Sequence, residues 1–136
     1  MRSVLLLSLA LVAWVPAAVA ADFNVINVGS IAYQVNGTNN PTLALHRGVT
    51  YTFAIDAIGH PFWIKTAQVL GTASAFNTGV TGNGTQSGTL TFAVPLNAPS
   101  TLFYQCQFHA PMTGSLEITD LPVEAATWAK IKDLYQ

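Results

Sequence analysis

Charge is scarce in this chain: five Lys and Arg and six Asp and Glu make up 8% of its 136 residues. No basic stripe is present to release counterions from a nucleic-acid backbone, which argues against nucleic acid as a ligand. So few, scattered charges also argue against strong electrostatic steering, and any docking surface is expected to be apolar or polar-uncharged. Histidines number three, His46, His60 and His109, and there is a single cysteine, Cys106. A lone cysteine rules out any disulfide within the chain. No Ser-His-Asp set, paired-carboxylate site, phosphate loop or internal repeat is detectable, and Asp56, near His60, reads as a turn residue.

What is present begins with a secretory signal. Arg2 supplies the positive end, Val4 to Val15 an apolar core, and Ala18-Val19-Ala20 a small-residue cleavage site. The apolar run is short for a membrane span and ends in alanines, so cleavage after Ala20 is expected and no spanning stretch remains afterwards. The mature net charge is then −2. Three segments are expected: signal 1–20, one domain over 21–121, and a tail over 122–136. The destination is the periplasm or the outside of the cell, both oxidising. A lone thiol there is a buried inert group, half of an intermolecular disulfide, or a metal ligand.

The mature chain reads as β-structure almost throughout. Phe23 to Val28 and Ile31 to Val35 are rich in β-branched and aromatic residues, and Asn36-Gly37 and Asn39-Asn40-Pro41 mark turns. Thr42 to Leu45 alternates. Val49 to Ile55 alternates cleanly, with Val49, Tyr51, Phe53 and Ile55 on one face. Further strands are expected at Phe62 to Lys65, Thr89 to Val94, Leu102 to Cys106 and Gly114 to Thr119. Phe62 and Trp63 alternate, so one should pack the core and the other face outward. About seven or eight short strands separated by Gly, Pro and Asn fit an all-β Greek-key sandwich. Thr72 to Ser87, rich in Gly, Thr, Asn and Ser, reads as a long polar surface excursion. Val123 to Leu134 spaces apolar residues at helical intervals around Trp128 and is expected to form a short terminal helix.

Chemistry concentrates in Cys106-Gln107-Phe108-His109-Ala110-Pro111-Met112, which places a thiolate, an imidazole and a thioether within seven residues. These are the soft and borderline ligands that copper prefers, and a trigonal blue-copper site needs one more histidine with a weak axial methionine. His60, in Gly59-His60-Pro61-Phe62-Trp63-Ile64, is the candidate donor. Each residue has a plainer reading: His60 as a turn residue, Met112 as core filler, His46 as a solvated turn histidine. The order and spacing of the set favour the ligand reading. Asn36-Gly37-Thr38 and Asn83-Gly84-Thr85 match the N-glycosylation pattern, but Asn-Gly is equally a turn dipeptide.

From about Phe23 to Leu121 the sequence resembles the cupredoxins, a family of small blue-copper electron carriers. The resemblance rests on a single histidine after a strand and turn, a Tyr-x-Cys ending the penultimate strand, Cys, His and Met in order, and Gly114 opening the last strand. Two residues between His109 and Met112 is the short, amicyanin-like loop; plastocyanin-like members have a longer one. The resemblance implies one copper ion alternating between Cu(I) and Cu(II), with His60, Cys106 and His109 equatorial and Met112 axial. It further implies a monomeric, non-enzymatic carrier that meets redox-partner proteins transiently through an uncharged patch near His109. Copper oxidases bracket the cysteine with histidines for a second centre, whereas here the neighbours are Gln105 and Gln107. One departure touches the chemistry. Many members have asparagine after the first histidine, with a backbone N–H donating to the cysteine sulfur, and Pro61 has none to give. Copper delivery or sequestration by the same ligands is the alternative function. A structural or adhesion module ranks last, because it leaves the complete ligand set unexplained.

Overall fold

A computed structural model describes residues 19–123 and 131–135, and the signal segment up to residue 18 lies outside them, as does Trp128. Ten strands form, β1 (Phe23–Val28), β2 (Ala32–Val35), β3 (Thr38–Asn39), β4 (Leu43–His46), β5 (Thr50–Asp56), β6 (Phe62–Lys65), β7 (Val80–Thr81), β8 (Ser87–Ala93), β9 (Thr101–Cys106) and β10 (Thr113–Thr119). They make two mixed sheets, ordered β3-β2-β1-β5-β8-β7 and β4-β10-β9-β6. In each, one parallel pair (β1 with β5, β4 with β10) accompanies antiparallel neighbours, so the chain crosses between sheets as a Greek key requires.

Alternation explains which side chains meet between the sheets. Phe53 and Ile55 of β5, Leu90 and Phe92 of β8, Leu102 and Tyr104 of β9, and Leu116 and Ile118 of β10 are all buried, while their in-between neighbours are half-buried or exposed. Phe62 is fully buried and Trp63 half-buried, as the two-residue period requires. An aromatic knot of Tyr33, Phe62 and Tyr104 fills the end of the core beneath Cys106: Phe62 stacks on Tyr104 at 5.3 Å between centroids, and Tyr33 meets Phe62 edge-on at 5.0 Å.

Two strands exceed the sequence expectation, β3 and β7. Each has two residues, too few for a period to show. The excursion over 72–87 is also better fastened than its composition suggests. Ile64 N–H donates to Asn83 Oδ1 at 2.8 Å, and Asn83 Nδ2 donates to Phe76 O at 3.1 Å. Gly84, at φ +83°, passes directly under the Trp63 ring, where a Cβ would lie 2.3 Å from a ring carbon. Both sequon asparagines are thus structural, since Asn36 likewise accepts from Asn24 N–H at 2.8 Å and donates to the carbonyl of Asp22. Of the expected terminal helix, residues 131–133 are helical, and 124–130 lie outside the described residues. Among the described residues no helix is long and apolar enough to cross a membrane.

Candidate metal centre

Three of the four expected ligands converge at one end of the sandwich. β6 and β9 pair antiparallel with Phe62 opposite Cys106, so the turn entering β6 and the loop leaving β9 lie side by side. That turn is closed by His60 N–H donating to Ala57 O at 2.9 Å, and Gln86 Oε1 holds Gly59 N–H. On the other side, Cys106 N–H donates to Met112 O at 2.9 Å and Met112 N–H to His109 O at 3.2 Å, which folds 106–112 into a tight reversal before β10. Gln107 N–H to Pro61 O at 3.2 Å ties the two segments together.

The result is a triangle of donor atoms. His60 Nδ1 and His109 Nδ1 are 3.1 Å apart, and Cys106 Sγ lies 3.9 Å from the first and 3.5 Å from the second. For comparison, an ion held at about 2.0–2.1 Å by nitrogen and about 2.3 Å by sulfur in a trigonal plane would space its ligands by about 3.5 Å (N to N) and about 3.7 Å (N to S). The two sulfur edges bracket their value and the nitrogen edge falls a few tenths of an ångström short of its own, so one ion fits with shifts of that size. Thiolate plus two imidazoles is a donor set for copper or zinc, and a trigonal His₂Cys arrangement is the copper form.

Cys106 is fully buried and His60 is 8% exposed, whereas His109 is half-buried. Burial, and then the charge of His109, push His60 below the ordinary histidine range. Met112, the fourth expected ligand, is fully buried in the same cluster as Cys106. His46 stands apart at the end of β4 with its ring on the Thr119 hydroxyl at 3.1 Å, and Asp56 is exposed at the end of β5. Neither joins the cluster.

Three residues around the triangle escaped the sequence reading. Tyr33, fully buried on β2, donates its hydroxyl to His60 O at 2.8 Å. Burial, and then the nearby Cys106, raise that phenol far above its ordinary range, so it stays protonated. Asn40 accepts Tyr33 N–H on Oδ1 and donates from Nδ2 to Pro111 O, each at 2.9 Å. Gln105 is 2% exposed and turns its amide into the ligand loop. In the sequence Tyr33 showed only as a strand residue and Gln105 only as a non-histidine beside the cysteine.

The site is rimmed by uncharged residues: Phe108 is 56% exposed, Ile58 is 70% exposed, and Ala110 and Pro111 are exposed.

No family model matches the chain, and no curated protein matches it. Solved structures do. Reduced rusticyanin studied by NMR superimposes with a TM-score of 0.52 and 20% identity, covering 71% of this chain and 75% of that one. A structure described as the copper protein rusticyanin matches with a TM-score of 0.51 at 20% identity, over 71% and 76% of the two chains. A methionine-to-leucine variant of rusticyanin gives the same TM-score, identity and coverage. Rusticyanin is a cupredoxin, and this chain has the cupredoxin fold.

Proposed function

We propose that this protein is an exported blue-copper carrier that takes up and gives away one electron at a time. One observation carries the reading: His60 Nδ1, His109 Nδ1 and Cys106 Sγ form a triangle of 3.1, 3.5 and 3.9 Å at the end of a cupredoxin sandwich. Met112, closing the loop from within the core, would be the fourth residue to hold the ion in this proposal. Copper held there supplies one-electron chemistry between Cu(I) and Cu(II). His60, Cys106 and the loop backbone, tied into both sheets, hold their places whatever the charge at the centre, which keeps reorganisation small. Four protein ligands leave no position for a substrate, so the proposed role is that of a carrier rather than an enzyme.

Electrons enter and leave at His109 in this reading, because it is the one expected ligand that is half-buried and not buried. Phe108, Ala110, Pro111 and Ile58 around it offer an apolar, uncharged face, suited to a brief encounter with a redox protein and not to a permanent complex. Export rests on the Ala18-Val19-Ala20 signature that follows the apolar run.

The test is the visible spectrum of the copper-loaded protein beside that of Cys106→Ser. An intense band in the red, absent from the variant, is the expected result. A folded, copper-loaded wild type without that band overturns the reading.

A further inference from the structure

The ligand loop turns its carbonyls inward, on to one side chain. Gln105 Nε2 lies 3.2 Å from Cys106 O, 3.1 Å from His109 O, 3.4 Å from Ala110 O and 3.4 Å from Met112 O. Three of these carbonyls belong to expected ligands, and the fourth to the residue after His109. Gln105 sits in β9, opposite Trp63 on β6 and Thr113 on β10, so its backbone is fixed by strand pairs on both sides. The orientation of the amide follows from its surroundings: with the group reversed, Oε1 would face four acceptors.

We infer that Gln105 is the positioning residue of the metal loop, its buried amide acting as the core on which Cys106 to Met112 is wound. The inference rests on the electron-carrier reading for its consequence, though not for its geometry. Seven residues that reverse direction so tightly cannot pair all their carbonyls with one another: His109 O receives Met112 N–H and Met112 O receives Cys106 N–H, but Ala110 O has only the amide as a partner among the described residues. An amide as buried as that of Gln105, 2% exposed, costs about as much as a lost hydrogen bond for each donor left unpaired. Two amide hydrogens shared among four acceptors remove that cost and do so without a charge beside the metal centre. Lysine would bring a cation to the same place, and leucine would bring no donor.

Partners behind the ligands commonly set metal affinity by about 10–100-fold, and the same size of effect is expected here. The experiment compares wild type with Gln105→Leu and Gln105→Glu, the second keeping the shape of glutamine while removing both amide hydrogens. Amide hydrogen exchange of the metal-free proteins is read at Gln107 to Met112, Cu(I) affinity by competition with a chelator, and the red band by absorption. Faster exchange confined to the loop, a roughly 10–100-fold loss of affinity and a displaced band are expected in whichever variants fold. Unchanged exchange, affinity and band in a folded variant overturn the inference, and so does failure of both variants to fold, since the amide then serves the domain as a whole. A wild type that shows no red band sinks the carrier reading alone, because loop exchange still decides what Gln105 does.

Discussion

The Tyr33 hydroxyl donates to the carbonyl oxygen of His60 at 2.8 Å, and through it one sheet of the sandwich grips the His60 turn that leads into the other. The same strand end reaches the second ligand segment, because Tyr33 N–H is held by Asn40, whose Nδ2 donates to Pro111 O. The β2–β3 hairpin therefore fastens both the His60 turn and the Cys106–Met112 loop. Removing the hydroxyl leaves a buried carbonyl without its donor. Tyr33→Phe should lower the unfolding free energy of the metal-free protein by about 1–3 kcal/mol, measured by urea denaturation. An unchanged midpoint would mean that the carbonyl is satisfied from elsewhere, and the clamp would lose its energetic basis.

Pro61 lies between the first ligand and β6, and among the described residues no backbone N–H donates to Cys106 Sγ. A thiolate without that donor gives more electron density to Cu(II) and so favours the oxidised state. Pro61→Asn restores an N–H at that position and should raise the reduction potential. Taking about 0.5–1.5 kcal/mol for one hydrogen bond and 59 mV for each tenfold in a one-electron couple, the rise is about 20–60 mV. Titration of the red band against a mediator reads it. A potential that stays constant or falls would show that the proline is neutral for the sulfur.

The sandwich could be read from the sequence because its long strands alternate: β1 and β6 fall where the alternation put them, and β5 runs within a residue of Val49–Ile55. β3 and β7 could not be, since two residues carry no period. At the site, Cys106 and His109 were visible because only two residues separate them along the chain. His60 was nameable from the sequence as the further donor the set needs, but what brings it to them is the pairing of Phe62 with Cys106, a contact between strands far apart in sequence. Gln105 and Tyr33 were hidden for a different reason. Their roles lie in side-chain bonds to backbone carbonyls, which leave no trace in hydrophobic pattern or spacing.

Gly114 is required by contact and not by backbone conformation. It faces Tyr104 across the β9–β10 pair, and a Cβ there would sit 2.2 Å from the phenolic oxygen and 2.3 Å from the ring carbon bearing it. The ring has nowhere to go, because its hydroxyl donates to Pro41 O at 2.7 Å and its face is stacked on Phe62. Gly114→Ala should therefore cost about 3 kcal/mol, the upper end of the usual overpacking range. In a Tyr104→Leu background the same change should cost much less, and the difference between the two backgrounds measures the contact. Equal costs in both would place the strain elsewhere.

Lys65 is fully buried at the end of β6, and its ammonium donates to Val69 O and, at 2.8 Å, to Gly71 O, with no carboxylate on it among the described residues. The sole ion pair among the described residues is Arg47 with Asp120. Burial lowers the Lys65 pKa below the ordinary lysine range. The sign follows from linkage: between the folded and unfolded pKa values the unfolded chain binds the extra proton, so stability rises with pH across that window, and below the folded pKa the penalty is present in full. Lys65→Met removes the titration. The stability of wild type relative to the variant should therefore increase as pH is raised from 7 towards 10, read as the difference between their urea midpoints. A difference that is flat with pH would mean that the two carbonyls and nearby water solvate the ammonium as well as bulk solvent does.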